Sequence, residues 1–338
     1  MIFCYLSIYF PKLIYVICSL IGRIFRSKSK SKITAGSIVG IILGLLCFIL
    51  MWIGVIFTRH HITVNKIEIH SEKLPSSFNG YKIVHFSDMH LGTWGNDTTF
   101  ISKMVDSINS LEPDLILFTG DFVNRRSDEM LPFIGPLSRL KARDGVKSVL
   151  GNHDYGNYVN WKSHEGKINN MHLLDSIIGI MDWKLLKNST DFIIRGQDSI
   201  ALIGVENWGE PPFNQIGDLK KAYPSDHQGK IDLNDNNYKI LMTHNPEHWN
   251  QIVSKESNID LSLSGHTHAM QMMTKIGNWE WSPASWRYKN WAGLYTEKAN
   301  DGNTMNLYVN IGVGEVGFPA RIGAAAPELT LITLHTAK

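Results

Sequence analysis

Beyond residue 60, apolar residues fall in runs of strand length that alternate with stretches of helical period. Runs at 81–86, 114–118, 146–150, 200–205, 238–242 and 260–263 predict strands, and residues 100–111, 128–140, 167–180 and 246–253 predict helices. Ile62, Val64, Ile67 and Ile69 suggest a first strand that begins the domain, and 307–311 and 328–335 supply late ones. Strand–helix alternation over this length predicts an α/β sandwich with helices covering the sheets. No internal repeat and no low-complexity linker follows residue 32.

The first sixty residues follow a different pattern. Residues 38–57 are twenty positions without a charge or strongly polar group. That matches the ~20 residues needed to cross ~30 Å of hydrocarbon. The run exceeds the usual ~7–15-residue core of a signal peptide, and no small-x-small cleavage site follows it. Residues 1–25 are a second apolar stretch, interrupted by Pro11 and Lys12, that could span, tilt or lie at the interface. Between them, residues 23–32 carry five basic side chains, which the positive-inside rule keeps in the cytoplasm. The expected organisation is therefore a membrane anchor at 1–60 and an enzymatic domain at 61–338 on the extracytoplasmic side of the cell membrane.

Charge narrows the partners. Residues 1–60 hold seven basic and no acidic side chains, leaving 26 basic against 31 acidic in the remainder, a formal charge of −5. Such a domain lacks the basic footprint of a nucleic-acid binder, so no nucleic-acid partner is expected. Cys4, Cys18 and Cys47 all lie in the anchor, so any metal in the domain is held by nitrogen and oxygen.

The polar residues that end the predicted strands are the candidate chemistry. Ser87-Asp88-Met89-His90 follows the first of the six runs, and Gly120-Asp121-Phe122-Val123-Asn124 the second. Gly151-Asn152-His153-Asp154, Thr243-His244-Asn245-Pro246 and Gly265-His266-Thr267-His268 follow the third, fifth and sixth. Taken singly, Asp-x-His or Gly-Asp is equally at home in a surface turn or an N-cap. Together they gather at one rim, because open α/β sheets place their ligand sites at the C-terminal ends of strands. Neutral imidazoles there favour transition metals over Mg²⁺ or Ca²⁺.

In chain order these five motifs resemble the calcineurin-like metallophosphoesterase family. The similarity runs from about residue 81 to the C-terminus and is greatest to its membrane-associated bacterial branch, with phosphodiesterase-like and UDP-2,3-diacylglucosamine hydrolase-like members. The tail at 310–323, followed by Pro327-Glu328-Leu329, fits that branch as well. The resemblance implies two packed mixed sheets flanked by helices, and two divalent ions per chain, manganese, zinc or iron. It implies that Asp88, His90 and His268 hold one ion, that Asn152, His244 and His266 hold the other, and that Asp121 bridges them. His153 would face the scissile phosphate, oriented by Asp154. A hydroxide between ions ~3.5–4 Å apart would attack phosphorus in line.

The implied function is a phosphodiesterase or phosphomonoesterase acting on a lipid-linked or nucleotide-like substrate at the membrane. A nuclease of the same fold and a non-catalytic scaffold are the alternatives. The −5 charge opposes the nuclease, and the complete ligand set opposes the scaffold. One departure bears on substrate: where the branch often has Gly-Gly-Gln after Gly-His-Thr-His, this chain has Ala269-Met270-Gln271, and Met270 could narrow the pocket. Trp279, Trp281, Trp286 and Trp291 suggest an irregular loop near the rim. They could stack on a sugar or base, sit in the membrane interface, or pin the loop to the domain.

Overall fold

The apolar runs become the strands of two sheets. In the computed structural model, which describes residues 2–25, 33–223, 237–298 and 303–337, the first sheet takes β1 (Thr63–Ser71), β2 (Tyr81–Phe86), β3 (Leu115–Phe118), β4 (Val146–Ser148) and β5 (Trp183–Leu185). The last strand, β15 (Glu328–Thr336), inserts between β1 and β2, giving the order β1-β15-β2-β3-β4-β5. The second sheet holds β6 (Ser189–Arg195), β7 (Asp198–Gly204), β8 (Lys239–Met242), β9 (Leu261–Ser264), β12 (Gly293–Lys298) and β13 (Thr304–Val309), in the order β12-β13-β9-β8-β7-β6. Both sheets are mixed: β2 to β5 run parallel with β15 antiparallel to β2, and β7, β8, β9 and β13 run parallel between antiparallel edges.

Side-chain alternation decides which residues fill the centre. Ile83, Leu115, Leu117, Ile332 and Leu334 of the first sheet meet Ile200, Leu202, Ile240, Met242 and Leu263 of the second in one buried cluster. The opposite face of the first sheet, with Val84, Phe86, Ile116 and Phe118, packs on α3 (Thr99–Ser110) and the helix His164–Ile180. Ile203, Leu241 and Leu307 likewise cover Trp249 and Val253 behind the second sheet. The architecture is the expected sandwich of two packed mixed sheets flanked by helices.

Some elements differ from the sequence expectation. Residues 128–140 form a 3-10 helix, Ser127–Phe133, and one short turn, Ile134–Leu137, because Pro132 and Pro136 withdraw the N–H groups a regular helix needs. Residues 249–253 form a π-helix, Trp249–Val253, followed by Ser254–Glu256. The tryptophan-rich segment is not wholly irregular. Its start is a strand, β11 (Trp279–Trp281), which with β10 (Met272–Ile276) and β14 (Ile322–Gly323) makes a third sheet in the order β11-β10-β14.

The apolar N-terminal runs form α1 (Ile2–Ile24) and α2 (Ala35–Ile56), two helices long and apolar enough to cross a membrane, and they suggest membrane association. Gly36, Gly40 and Gly44 lie at four-residue spacing against Cys18, Tyr15 and Pro11 of α1, so the two backbones come close. The basic residues at 26–32 lie outside the described residues. The last turns of α2 pack on the domain: Met51 and Val55 share a cluster with Phe3, Phe318, Ala320 and Ile322.

Candidate metal centre

Five strand ends bring the polar motifs to one rim. β2 leads into Asp88 and His90, β3 into Asp121, β4 into Asn152 and His153, β8 into His244, and β9 into His266 and His268. Asp88, His90, Asp121, His266 and His268 all adopt positive φ, between 43° and 72°. For residues other than glycine this conformation costs of order 1–3 kcal/mol each and persists only where neighbours fix it. Here they do. Asp88 N–H donates to Gly120 carbonyl at 2.9 Å and His90 N–H to Asp121 carbonyl at 3.1 Å. The Asp88 carboxylate accepts from His266 N–H at 3.0 Å, and Asp121 Oδ1 from His153 N–H at 2.9 Å. Gly151 and Gly265 are required by this crowding, since a Cβ at either would strike the carboxylate of Asp121 or Asp88.

The donor atoms converge. His268 Nε2 lies 3.2 Å from Asp88 Oδ1 and 3.1 Å from His90 Nε2, and His90 Nε2 lies 3.4 Å from Asp121 Oδ2. On the other side, His244 Nε2 is 3.3 Å from Asp121 Oδ2 and 3.2 Å from His266 Nδ1. Ligands bonded to one ion at ~2.0–2.2 Å stand roughly 3.0–3.5 Å from one another. The residues therefore form two divalent-metal-binding clusters, Asp88–His90–His268 and Asp121–His244–His266, and a third combination, His90–Asp121–His153, joins them. Asn152 Oδ1 is buried at this centre with no hydrogen-bond partner, while its Nδ2 donates to Tyr158 hydroxyl at 2.9 Å. A buried carboxamide oxygen left in that state suits a cation.

Protonation follows from burial and neighbours. Burial pushes the His90 and His266 imidazoles down to about 3, which keeps them neutral and able to ligate. Burial acts on His244 in the same direction, but the carboxylates of Asp121 and Asp88 more than offset it and raise the ring to about 9 in the metal-free site. Burial opposes ionisation of Asp88 and Asp121, yet facing imidazoles, His268 and His244 foremost, hold both carboxyls below the usual range. His244 Nδ1–H donates to Thr119 carbonyl at 2.7 Å, which directs Nε2 to the cluster.

The Asp154 side chain is turned toward the main chain. Its carboxylate makes no hydrogen bond to the His153 ring. Oδ1 accepts from Phe122 and Val123 N–H and Oδ2 from Asp121 and Gly151 N–H. His153 is held instead by Asn124, whose carbonyl lies 2.7 Å from Nδ1, and by Tyr158, whose ring stands 4.3 Å away. A main-chain carbonyl carries no side-chain signal, so the sequence could not point to it.

A cleft of about 160 Å³ opens over the centre, lined by His153, Phe213, Tyr288 and Val316 beside the clustered ligands. Tyr288 hydroxyl lies 3.1 Å from His266 Nε2, and the Phe213 ring is nearly perpendicular to the same imidazole with centroids 4.7 Å apart. Neither aromatic belongs to one of the five sequence motifs. Met270 does not line this cleft but stands 46% exposed outside it, and none of the four tryptophans lines it. Trp291 pins its segment, its carbonyl accepting from Thr267 hydroxyl at 2.6 Å.

Comparison with known proteins agrees with this geometry. The family model described as calcineurin-like phosphoesterase matches residues 81–270. An uncharacterized metallophosphoesterase of Bacillus subtilis is 27% identical over 283 residues, covering 82% of this chain and 87% of its own. A transmembrane protein with metallophosphoesterase domain from Danio rerio is 30% identical over 345 residues, covering 98% and 72%. The UDP-2,3-diacylglucosamine pyrophosphatase of Chlamydia trachomatis is 30% identical over 243 residues, covering 59% and 68%.

Proposed function

The chain belongs to the calcineurin-like phosphoesterase family, and we propose that it is a membrane-anchored enzyme that hydrolyses a lipid-linked or nucleotide-like phosphoester. The observation that carries this is the convergence of donors on Asp121, with the unpartnered Asn152 oxygen beside it and a small cleft above. Asp88, His90 and His268 would hold one ion and Asn152, His244 and His266 the other, with Asp121 shared. Bound there, divalent ions would supply Lewis-acid polarisation of the phosphoryl oxygens and neutralise charge that builds up in the transition state.

The chain's own residues do the rest. His153, with Nδ1–H committed to Asn124 carbonyl, keeps Nε2 for the cleft it lines, where the protonated ring would give its proton to the leaving oxygen. Tyr158 packs against that ring at a tilt and keeps it in place. Asp154 ties the Gly120–Val123 turn to Gly151 and so positions Asp121 and Asn152. Phe213 and Tyr288 wall the cleft and limit water around the reacting group.

The substrate class rests on the anchor and on relatives. The Danio rerio relative is named a transmembrane protein, and the Chlamydia trachomatis relative a UDP-2,3-diacylglucosamine pyrophosphatase. The five basic residues at 23–32 support an extracytoplasmic domain. The test is a panel of nucleotide-sugar lipids, phospholipids, soluble diesters, monoesters and DNA, assayed with the purified full chain. The reading expects chelator-sensitive hydrolysis that favours a lipid-linked substrate. Turnover confined to DNA would favour the nuclease instead.

A further inference from the structure

The small sheet β11-β10-β14 has two unlike faces. In the β10–β11 pairing, Ile276 stands opposite Trp279 and Thr274 opposite Trp281, so these four side chains share one face. Lys275 and Glu280 pair with each other on the reverse face. Ile276 is 69% exposed and Trp279 56%, and Trp286, 79% exposed, meets Trp281 edge-on at 5.6 Å. Soluble surfaces rarely gather large apolar side chains in this way, and such a patch marks an interaction site.

The register also shows where this face leads. Met272 of β10 pairs in parallel with Ile322 of β14, which puts Ile322 on the same face as Thr274 and Ile276. The Ile322 side chain joins Met51 and Val55 of α2 in one cluster with Phe318 and Ala320, and Gly54 closes on Arg321 with its carbonyl 3.4 Å from Arg321 N–H. One sheet face thus runs from the last turns of the apolar helix, under Ile322, outward to Ile276 and three tryptophans. Those last turns are where a spanning helix leaves the hydrocarbon, and tryptophan is enriched at that depth because its ring is apolar and its N–H is not.

We infer that the Ile276–Trp279–Trp281–Trp286 face is seated in the interfacial layer of the lipid bilayer beside α2. It would act as a second, non-spanning contact that fixes the domain against the membrane. The inference rests on the membrane reading of α1 and α2, and its test separates the two.

Purified full chain is reconstituted into phosphatidylcholine vesicles with and without brominated acyl chains, and tryptophan emission is compared for wild type and Trp279→Ser/Trp286→Ser. Metal content of the variant, unchanged from wild type, checks that the domain is folded. Bromolipid should quench a share of wild-type emission that the variant has lost, while quenching from Trp52 within α2 remains in both. An equal quenched amplitude in both proteins would overturn the interfacial face and leave the anchor intact. Absence of any quenching in wild type would overturn the anchor and this inference together. As a second readout, Ile276→Cys in a chain lacking Cys4, Cys18 and Cys47 should give a polarity-sensitive dye blue-shifted emission on vesicles relative to detergent-free lipid discs too small to extend beyond the helices. An identical, water-like spectrum in both would also overturn it.

Discussion

His153 donates its Nδ1 proton to the main-chain carbonyl of Asn124 at 2.7 Å, across the same short turn that Asp154 holds by four backbone N–H groups. The ring and its sequence neighbour therefore have separate tasks, and their substitutions should separate too. His153→Ala should keep both ions and lose ~10²–10⁴-fold on an ester with an alkoxide leaving group, the usual worth of general acid help. It should lose far less on a nitrophenyl ester, whose leaving group departs without a proton. Loss of metal from this variant would make His153 a ligand.

Asp154→Asn should behave differently. The amide places an NH₂ toward N–H donors that the carboxylate now satisfies, and each buried group left unpaired costs roughly 1–3 kcal/mol. The expected result is a lower melting temperature and weaker metal retention, with equal rate losses on both esters. A selective loss on the alkoxide ester alone would return Asp154 to the orienting role.

The metal-free site carries a proton on His244 near neutral pH, because Asp121 and Asp88 raise that imidazole to about 9. Ligation needs the neutral ring, so an entering ion displaces the proton. Affinity for the ion should fall as pH drops below about 9, up to tenfold per unit for this one proton. In the metal-free protein the sign is opposite. Stability from the raised pKa is fully present below the unfolded value of about 6.5 and is lost as pH rises through about 9. Titration calorimetry at pH 7 in buffers of different ionisation enthalpy should report close to one proton released. No buffer dependence would contradict it.

Asp88, Asp121, Asn152, His244 and His266 are legible in the sequence because each follows a strand-length run rich in apolar residues, and parallel strands deliver their C-terminal ends to one edge. β6 and β12 are not, since Ser189–Arg195 and Gly293–Lys298 are edge strands whose short apolar stretches are flanked by polar residues. β10 and β11 are brief and set among glycine, asparagine and proline, the composition of a loop. Tyr158, Phe213 and Tyr288 reach the centre through loops, where no period relates sequence to position.

A further contact links the end of α2 to the metal centre. Arg59, just past α2, pairs with buried Glu315 at 3.1 Å, and Glu315 carbonyl accepts from Thr93 hydroxyl at 2.7 Å beside the His90 turn. Burial raises the Glu315 carboxyl to about 7, with Arg59 opposing the shift. Arg59→Ala should destabilise the protein at pH 8, where the buried Glu315 carboxylate is left with Arg321 as its remaining opposite charge. The loss should shrink at pH 6, where Glu315 takes up a proton. Melting temperatures in detergent at the two pH values check this, and an equal loss at both would contradict it.

Orientation is tested by a reporter active only outside the cytoplasm, fused after the last residue. Signal is expected if residues 23–32 stay inside. A reporter that is stable yet silent, with the C-terminus labelled from the cytoplasm, would reverse the topology.

The most direct test of the central claim is the metal content of purified protein and of two variants. Elemental analysis should find two divalent ions per chain in the wild type. His90→Ala should retain about one, and Asp121→Ala, which removes the carboxylate common to both clusters, should lose both along with hydrolysis of a soluble diester. Full activity in metal-free protein, or two ions retained by Asp121→Ala, would contradict a dinuclear centre built on that residue.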